Sequence, residues 1–112
     1  MTPFDFGEIL LVAFPFTDQF ATKRRPAVVI SSEAYHNQRL DVIVMAITSQ
    51  LRASSNFAEI QILQWQAAGL KLPSAIKPVI ATLAQTIVLK RLGRLQEQDQ
   101  HTLRLAIASC IG

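Results

Sequence analysis

The sequence predicts a mainly β fold, a small barrel or half-open roll, with one amphipathic helix at the C-terminus. Three observations carry this. Short apolar runs rich in Val and Ile are bounded by Gly, Pro and polar clusters. A helical spacing of apolar residues emerges only at the end of the chain, and no regular strand–helix alternation calls for a parallel sheet. At 112 residues the whole chain, 1–112, reads as one domain.

Ile9–Phe14 is the first strand, preceded by Gly7 and stopped by Pro15. A polar loop, Phe16–Arg25, follows with no helical period. Pro26–Ser32 is the second strand, its β-branched centre marking burial on both faces. Ser32–Leu40 is a short helical or irregular excursion with Ser32 as a candidate N-cap. Asp41–Ile47 is the third strand, Arg52–Asn56 a loop, and the alternating Phe57–Leu63 a strand buried on one side. Ile76–Leu83 and Ile87–Leu95 add two more strands. Leu103, Ala106, Ile107, Cys110 and Ile111 then recur at helical steps, after Glu97 and Asp99 in the first turn, as in a helix packed on one face.

Half the residues are hydrophobic and only 17% are charged. That is apolar for so small a chain, and a self-association surface, a symmetric homodimer, is the expectation. The single Cys110 excludes an internal disulfide and a cysteine-based zinc site, and it suits a reducing cytoplasm. No apolar run is long enough to cross a bilayer and Met1–Phe6 has no signal-peptide pattern, so the expected location is cytoplasmic with no membrane partner. The net charge of +3 divides into −1 over residues 1–60 and +4 over residues 61–112. A basic excess suits a polyanion such as RNA, and equally an ordinary basic surface.

Lys23-Arg24-Arg25-Pro26 is the most informative local feature, with Pro26 expected as the first residue of a strand and Arg25 biased to an extended conformation. Alone, it fits a solvated turn guarding a strand edge. Thr48-Ser49-Gln50 ends the third strand in three hydrogen-bonding side chains, which alone is turn chemistry. Geometry joins the two. The link between the second and third strands is too short for a parallel crossover, so they pair antiparallel. If Ser32 stands opposite Asp41, Pro26 faces Ile47 and Arg25 faces Thr48, with Cβ atoms roughly 5 Å apart.

Arginine stays charged and is no ordinary base, but its fork can hold a phosphate and neutralise charge growing on it. Thr48 and Ser49 can donate to phosphate oxygens. Together they suit a phosphodiester clamp. No carboxylate or His cluster has metal-ligand spacing, so neither metal nor other cofactor is expected.

Phe6–Val12, Phe14–Asp18, Lys23–Ile30, Ile47–Gln50, Ala68-Gly69-Leu70 with Pro73-Ser74, and Lys90–Leu95 together resemble the MazF/PemK-like mRNA interferase toxins, in the right order over nearly the whole chain. The resemblance implies an SH3-like small barrel of five to seven strands and a homodimer. It implies metal-independent cleavage of single-stranded RNA, in which the 2′-hydroxyl attacks the adjacent phosphate to leave a 2′,3′-cyclic phosphate and a 5′-hydroxyl. It also implies neutralisation by a cognate antitoxin whose flexible tail occupies the RNA groove. Arg25 carries over as the catalytic arginine and Thr48 as its hydroxyl partner; Lys23, Arg24, Ser49 and Gln50 carry over as RNA contacts. Asp18 and Phe20 join them from a loop lacking the glycine usual in such toxins, where Phe20 could stack on a base.

The general base is unassigned: Asp18 and Glu8 are the nearest carboxylates, His36 falls at the far end of the second and third strands, and His101 is a surface residue of the helix. Trp65 reads as core. Two alternatives stay open: a catalytically weak or inactive RNA- or protein-binding barrel, and a gyrase-directed toxin on the same scaffold.

Overall fold

The apolar runs become strands of one antiparallel sheet. The computed structural model describes residues 4–14, 23–51 and 59–111. The chain runs through β1 (Glu8–Phe14), β2 (Lys23–Val29), α1 (Glu33–Gln38), β3 (Asp41–Thr48), β4 (Ile60–Gln61) and β5 (Ala75–Ala84). A single 3₁₀ turn at Gln85–Ile87 then leads into β6 (Val88–Arg94) and α2 (Glu97–Ile111). The strand order is β4-β5-β3-β2-β1-β6. The mainly β architecture, with six strands and a C-terminal helix, is as the sequence predicts.

Of the closed barrel and the half-open roll that the sequence allows, the described residues form the open one. Among the described residues β4 and β6 do not pair, so the sheet is open. The physical reason is at its edges: β4 is two residues long, and β6 meets a turn on its outer side, where the Arg94 N–H donates to the Ala68 carbonyl at 3.1 Å. The Ala68-Gly69 and Gly93-Arg94 motifs, far apart in sequence, are thus in contact.

Alternation divides the sheet into two apolar faces. Ile9, Val28, Met45, Ile47, Ile60 and Ile76 point to one, where Leu95 and Leu103 cover them. Leu10, Val12, Ala27, Val29, Val42, Val44 and Leu83 point to the other. Ala27, Val28 and Val29 are all fully buried, as expected for a strand covered on both faces.

Three sequence expectations need correction. β2 begins at Lys23, so Pro26 is an interior residue opposite Leu11 of β1; it is tolerated because the ladder to β3 begins only at Ala27. The fourth strand shrinks to Ile60–Gln61, because the Asp99 carboxylate takes the N–H groups of Leu63 and Gln64 and turns the chain away; Phe57 and Ala58 lie outside the described residues, as does the loop 52–56. The core-facing side of α2 stops at Ile107: Leu103 is buried, Ala106 and Ile107 pack on the core, but Cys110 and Ile111 are exposed where the helix outruns the sheet.

α1 is capped as the sequence suggests, the Ser32 Oγ accepting the Tyr35 N–H at 3.2 Å. Trp65 is half-buried against the core.

Candidate active site

β2 and β3 pair through Ala27↔Ala46, Val28↔Met45 and Val29↔Val44, and the Ile30 N–H donates to the Ile43 carbonyl at 2.9 Å. This is the register that sets Ser32 against Asp41. Continued beyond the last paired residues, Ala27 and Ala46, the same register would set Arg25 opposite Thr48. On β1, Arg25 is directly opposite Val12. Alternation assigns the face: Arg25 follows Ala27 and Val29, and Thr48 follows Ala46, Val44 and Val42, all on the side of Leu10 and Val12. The cation and the hydroxyl therefore share one face at one end of adjacent strands.

Each side chain has capacity to spare. Arg25 is half-buried, and its Nε is enclosed without a hydrogen-bond partner among the described residues. An enclosed donor left unpaired costs about 1–3 kcal/mol, which an oxygen acceptor within its reach would recover. Thr48 Oγ1 accepts the Gln50 N–H at 3.1 Å, which fixes the hydroxyl while leaving its proton to donate. Ser49 and Gln50 are exposed beside it, and Arg24 is exposed opposite Ala13. Lys23 opens β2 opposite Phe14, its side chain lying outside the description, and Asp18 and Phe20 lie outside the described residues altogether.

Lys77 joins this neighbourhood without any sequence signal. Met45 pairs with Ile80 and Ile47 with Ile76, so Ala46 alone stands against Lys77, Pro78 and Val79. Such an irregularity re-aims side chains, and it sets a half-buried lysine beside the end of β3. Only the long-range pairing of β3 with β5 reveals it.

Other titratable groups are engaged elsewhere. Glu8 Oε1 accepts the Asp5 N–H at 2.8 Å and Oε2 pairs with Arg91 at 3.0 Å, at the opposite end of β1 from Val12. His36 is fully buried at the far end of β2 and β3, its Nε2 2.5 Å from Ser31 Oγ. Ser31 Oγ also accepts the Ile43 N–H at 3.1 Å, and His36 Nδ1 is enclosed with no hydrogen-bond partner among the described residues. At the same end the Tyr35 hydroxyl donates to Asp41 at 2.6 Å; that bond and the Arg39 guanidinium hold the Asp41 carboxyl below its ordinary range, against partial desolvation. His101 is exposed on α2.

A hollow of about 590 Å3 lies away from this edge, between Phe6, Ile30, Arg94, Arg104 and Ile107. Both of its arginines have partners: Arg94 is paired with Asp5 at 2.9 Å, and Arg104 stacks 3.8 Å from the Phe6 ring centre. The unpartnered guanidinium nitrogen lies elsewhere, at Arg25. Among the described residues no three His, Cys, Asp or Glu side chains gather as a metal-ligand set, and no helix is long and apolar enough to cross a membrane.

The fold has clear likenesses among solved structures. An endoribonuclease from a mycobacterial species, solved with its cognate antitoxin, matches at a TM-score of 0.80 and 16% identity, covering 99% of this chain and 96% of that one. MazF from Deinococcus radiodurans matches at 0.75 and 20% identity, covering 100% and 99%. The Mycobacterium tuberculosis toxin MazF-mt6 matches at 0.75 and 20% identity, covering 93% and 95%. No curated protein matches this sequence. The family model for the PemK-like, MazF-like toxin of type II toxin–antitoxin systems matches residues 5–111. Nearly the whole chain thus carries that pattern on a matching fold, and the protein belongs to the PemK-like, MazF-like toxin family.

Proposed function

We propose that this protein is an endoribonuclease toxin that cleaves single-stranded RNA without a metal ion and is held inactive by a cognate antitoxin. The observation that carries the reading is the enclosed, unpartnered Arg25 Nε on the same face as the Thr48 hydroxyl, one strand away. A guanidinium fork and a hydroxyl so arranged would grip the non-bridging oxygens of one phosphodiester. RNA supplies its own nucleophile. Its 2′-oxygen bonds to phosphorus, the bond from phosphorus to the 5′-oxygen breaks, and a 2′,3′-cyclic phosphate and a 5′-hydroxyl result. The proton lost by the 2′-hydroxyl passes to a base that stays unassigned, and the leaving oxygen takes up a proton.

Arg25 is the phosphate clamp and Thr48 its hydroxyl partner; Lys23, Arg24, Ser49, Gln50, Asp18 and Phe20 are the RNA contacts, with Lys77 beside them. Family membership and relatives solved with their antitoxins support an antitoxin partner for this chain. A homodimer is supported by apolar side chains left exposed on α2, β5 and β6, notably Leu105, Ile111, Val79, Ile80 and Leu89.

The test is cleavage of a single-stranded RNA by antitoxin-free protein in excess EDTA. Cleavage with cyclic-phosphate ends, lost in Arg25→Ala while RNA binding persists, supports the reading. Intact RNA under those conditions refutes it and leaves a non-catalytic binding protein.

A further inference from the structure

The face that carries Arg25 and Thr48 continues across the whole sheet as one row. Gln61 of β4 is opposite Ala75 of β5, and Ala75 is opposite Thr48 of β3. Val12 of β1 is opposite both Arg25 of β2 and Val88 of β6. Directly opposed residues point to the same side of a sheet, so Gln61 projects from the same face as the clamp. At about 4.8 Å per strand, its Cα stands roughly 10 Å from that of Thr48.

Gln61 is exposed, and its amide has no hydrogen-bond partner among the described residues. Its backbone is nevertheless held firmly. Ile60 and Ile62 on either side are buried in the core, at 8% and 3% exposure. The Ile62 N–H donates to the Ser74 carbonyl at 2.9 Å, and the next two N–H groups are taken by Asp99. A free amide on a pinned strand is suited to recognition, because little ordering remains to be done on binding. A glutamine amide carries one acceptor and a donor pair, the set that matches the N6 and N7 positions of adenine. It adds no charge, so it contributes little to holding phosphate.

We propose that Gln61 reads a base flanking the scissile phosphate, with adenine preferred. Single-stranded RNA presents such edges because its bases can be splayed away from stacking. This inference rests on the ribonuclease reading for its substrate, but it concerns sequence preference and not the chemical step.

The test uses full-length protein and a random-sequence RNA pool, with the cleaved ends sequenced. Wild type is expected to enrich adenine at one position within two nucleotides of the cut. Gln61→Ala should flatten that position by about 5- to 150-fold, the usual worth of one good base contact, while still cutting the pool. Gln61→Glu, which loses the amide donors, should flatten it too, with an unchanged melting temperature for both variants. No adenine preference near the cut in wild type, or the same preference in Gln61→Ala, overturns the proposal.

A parallel selection with a 2′-deoxy random pool, which cannot be cut, separates the two claims. If RNA is never cleaved but the bound deoxy pool shows an adenine enrichment that Gln61→Ala removes, the ribonuclease reading fails and the base-reading role stands. If neither pool shows a Gln61-dependent preference, the base-reading role fails whatever the RNA does.

Discussion

Gly93 of β6 lies so close to Ala68 that a Cβ added to it would sit within 1.9 Å of the Ala68 carbonyl oxygen. Backbone meets backbone there, in contact with the Arg94-to-Ala68 hydrogen bond that shields the outer side of β6. No side-chain rearrangement can make room. Gly93→Ala is therefore expected to destabilise the protein by about 3 kcal/mol, at the upper end for overpacking. Chemical denaturation, against Lys90→Ala as an exposed control on the same strand, measures the difference. Equal midpoints for the two variants would mean the turn is free to move away.

Asp99 is the counterpart of that contact on α2. It is 2% exposed, and its two oxygens accept the N–H groups of Leu63 and Gln64 at 3.1 and 2.9 Å. Asp99→Ala strands two donors, at a cost of about 2–4 kcal/mol. Amide exchange at Leu63 and Gln64 should rise more than exchange in β2. A uniform rise across the protein would mean that Asp99 supports the fold without specifically holding this turn.

The buried His36 makes the opposite prediction for activity. It stands at the far end of β2 and β3 from the clamp, hydrogen-bonded to Ser31. His36→Ala should cost about 2–4 kcal/mol through its cavity and the polar group left unpaired, while RNA cleavage per folded molecule stays within about twofold of wild type. A tenfold loss with folding intact would place His36 in the reaction.

Thr48 separates hydroxyl chemistry from packing. Thr48→Ser keeps both the acceptor for the Gln50 N–H and the donor; Thr48→Val keeps the shape and loses both. Cleavage should fall by about 10²-fold or more in the valine variant and by less than about tenfold in the serine variant. Steady-state cleavage of one defined oligonucleotide reads both. Equal rates for the two variants would remove Thr48 from the site.

The Tyr35–Asp41–Arg39 cluster sets a pH dependence. Tyr35 donation, helped by Arg39, keeps the Asp41 carboxyl below its ordinary value in the folded protein, so the unfolded chain binds its proton first. The resulting stability is present above the ordinary carboxylate value of about 3.9 and disappears as pH falls through the lower folded value. Asp41→Asn should shallow the acid limb of the stability curve in that window and leave its slope near neutral pH unchanged. A parallel acid limb would assign the slope to other carboxylates.

The pairing of β2 with β3 was readable from the chain alone. Two strongly apolar strands joined by a short excursion have one antiparallel alignment that buries both faces, and Ser32 and Asp41 bound it. Arg25 and Thr48 follow from that alignment, because short-range connection leaves little freedom. The helix of residues 97–111 was readable for a similar reason, its period being written in the spacing of Leu103, Ala106 and Ile107.

What only the tertiary structure decided depends on pairings across long loops. The alignment of β5 on β3, with three residues against Ala46, sets Lys77 beside the end of β3. The same strand carries Gln61 into line with Thr48. Asp99 looks in sequence like an ordinary first-turn acid, and becomes a buried cap only because α2 crosses behind residues 63 and 64. Gly69 and Gly93 stand in separate motifs of the sequence, and only the fold brings their backbones together. Local pattern determines which segments are strands and which way they face. Contacts between distant segments are decided by how the whole sheet curves and packs, since no local energy specifies which of several apolar edges will meet.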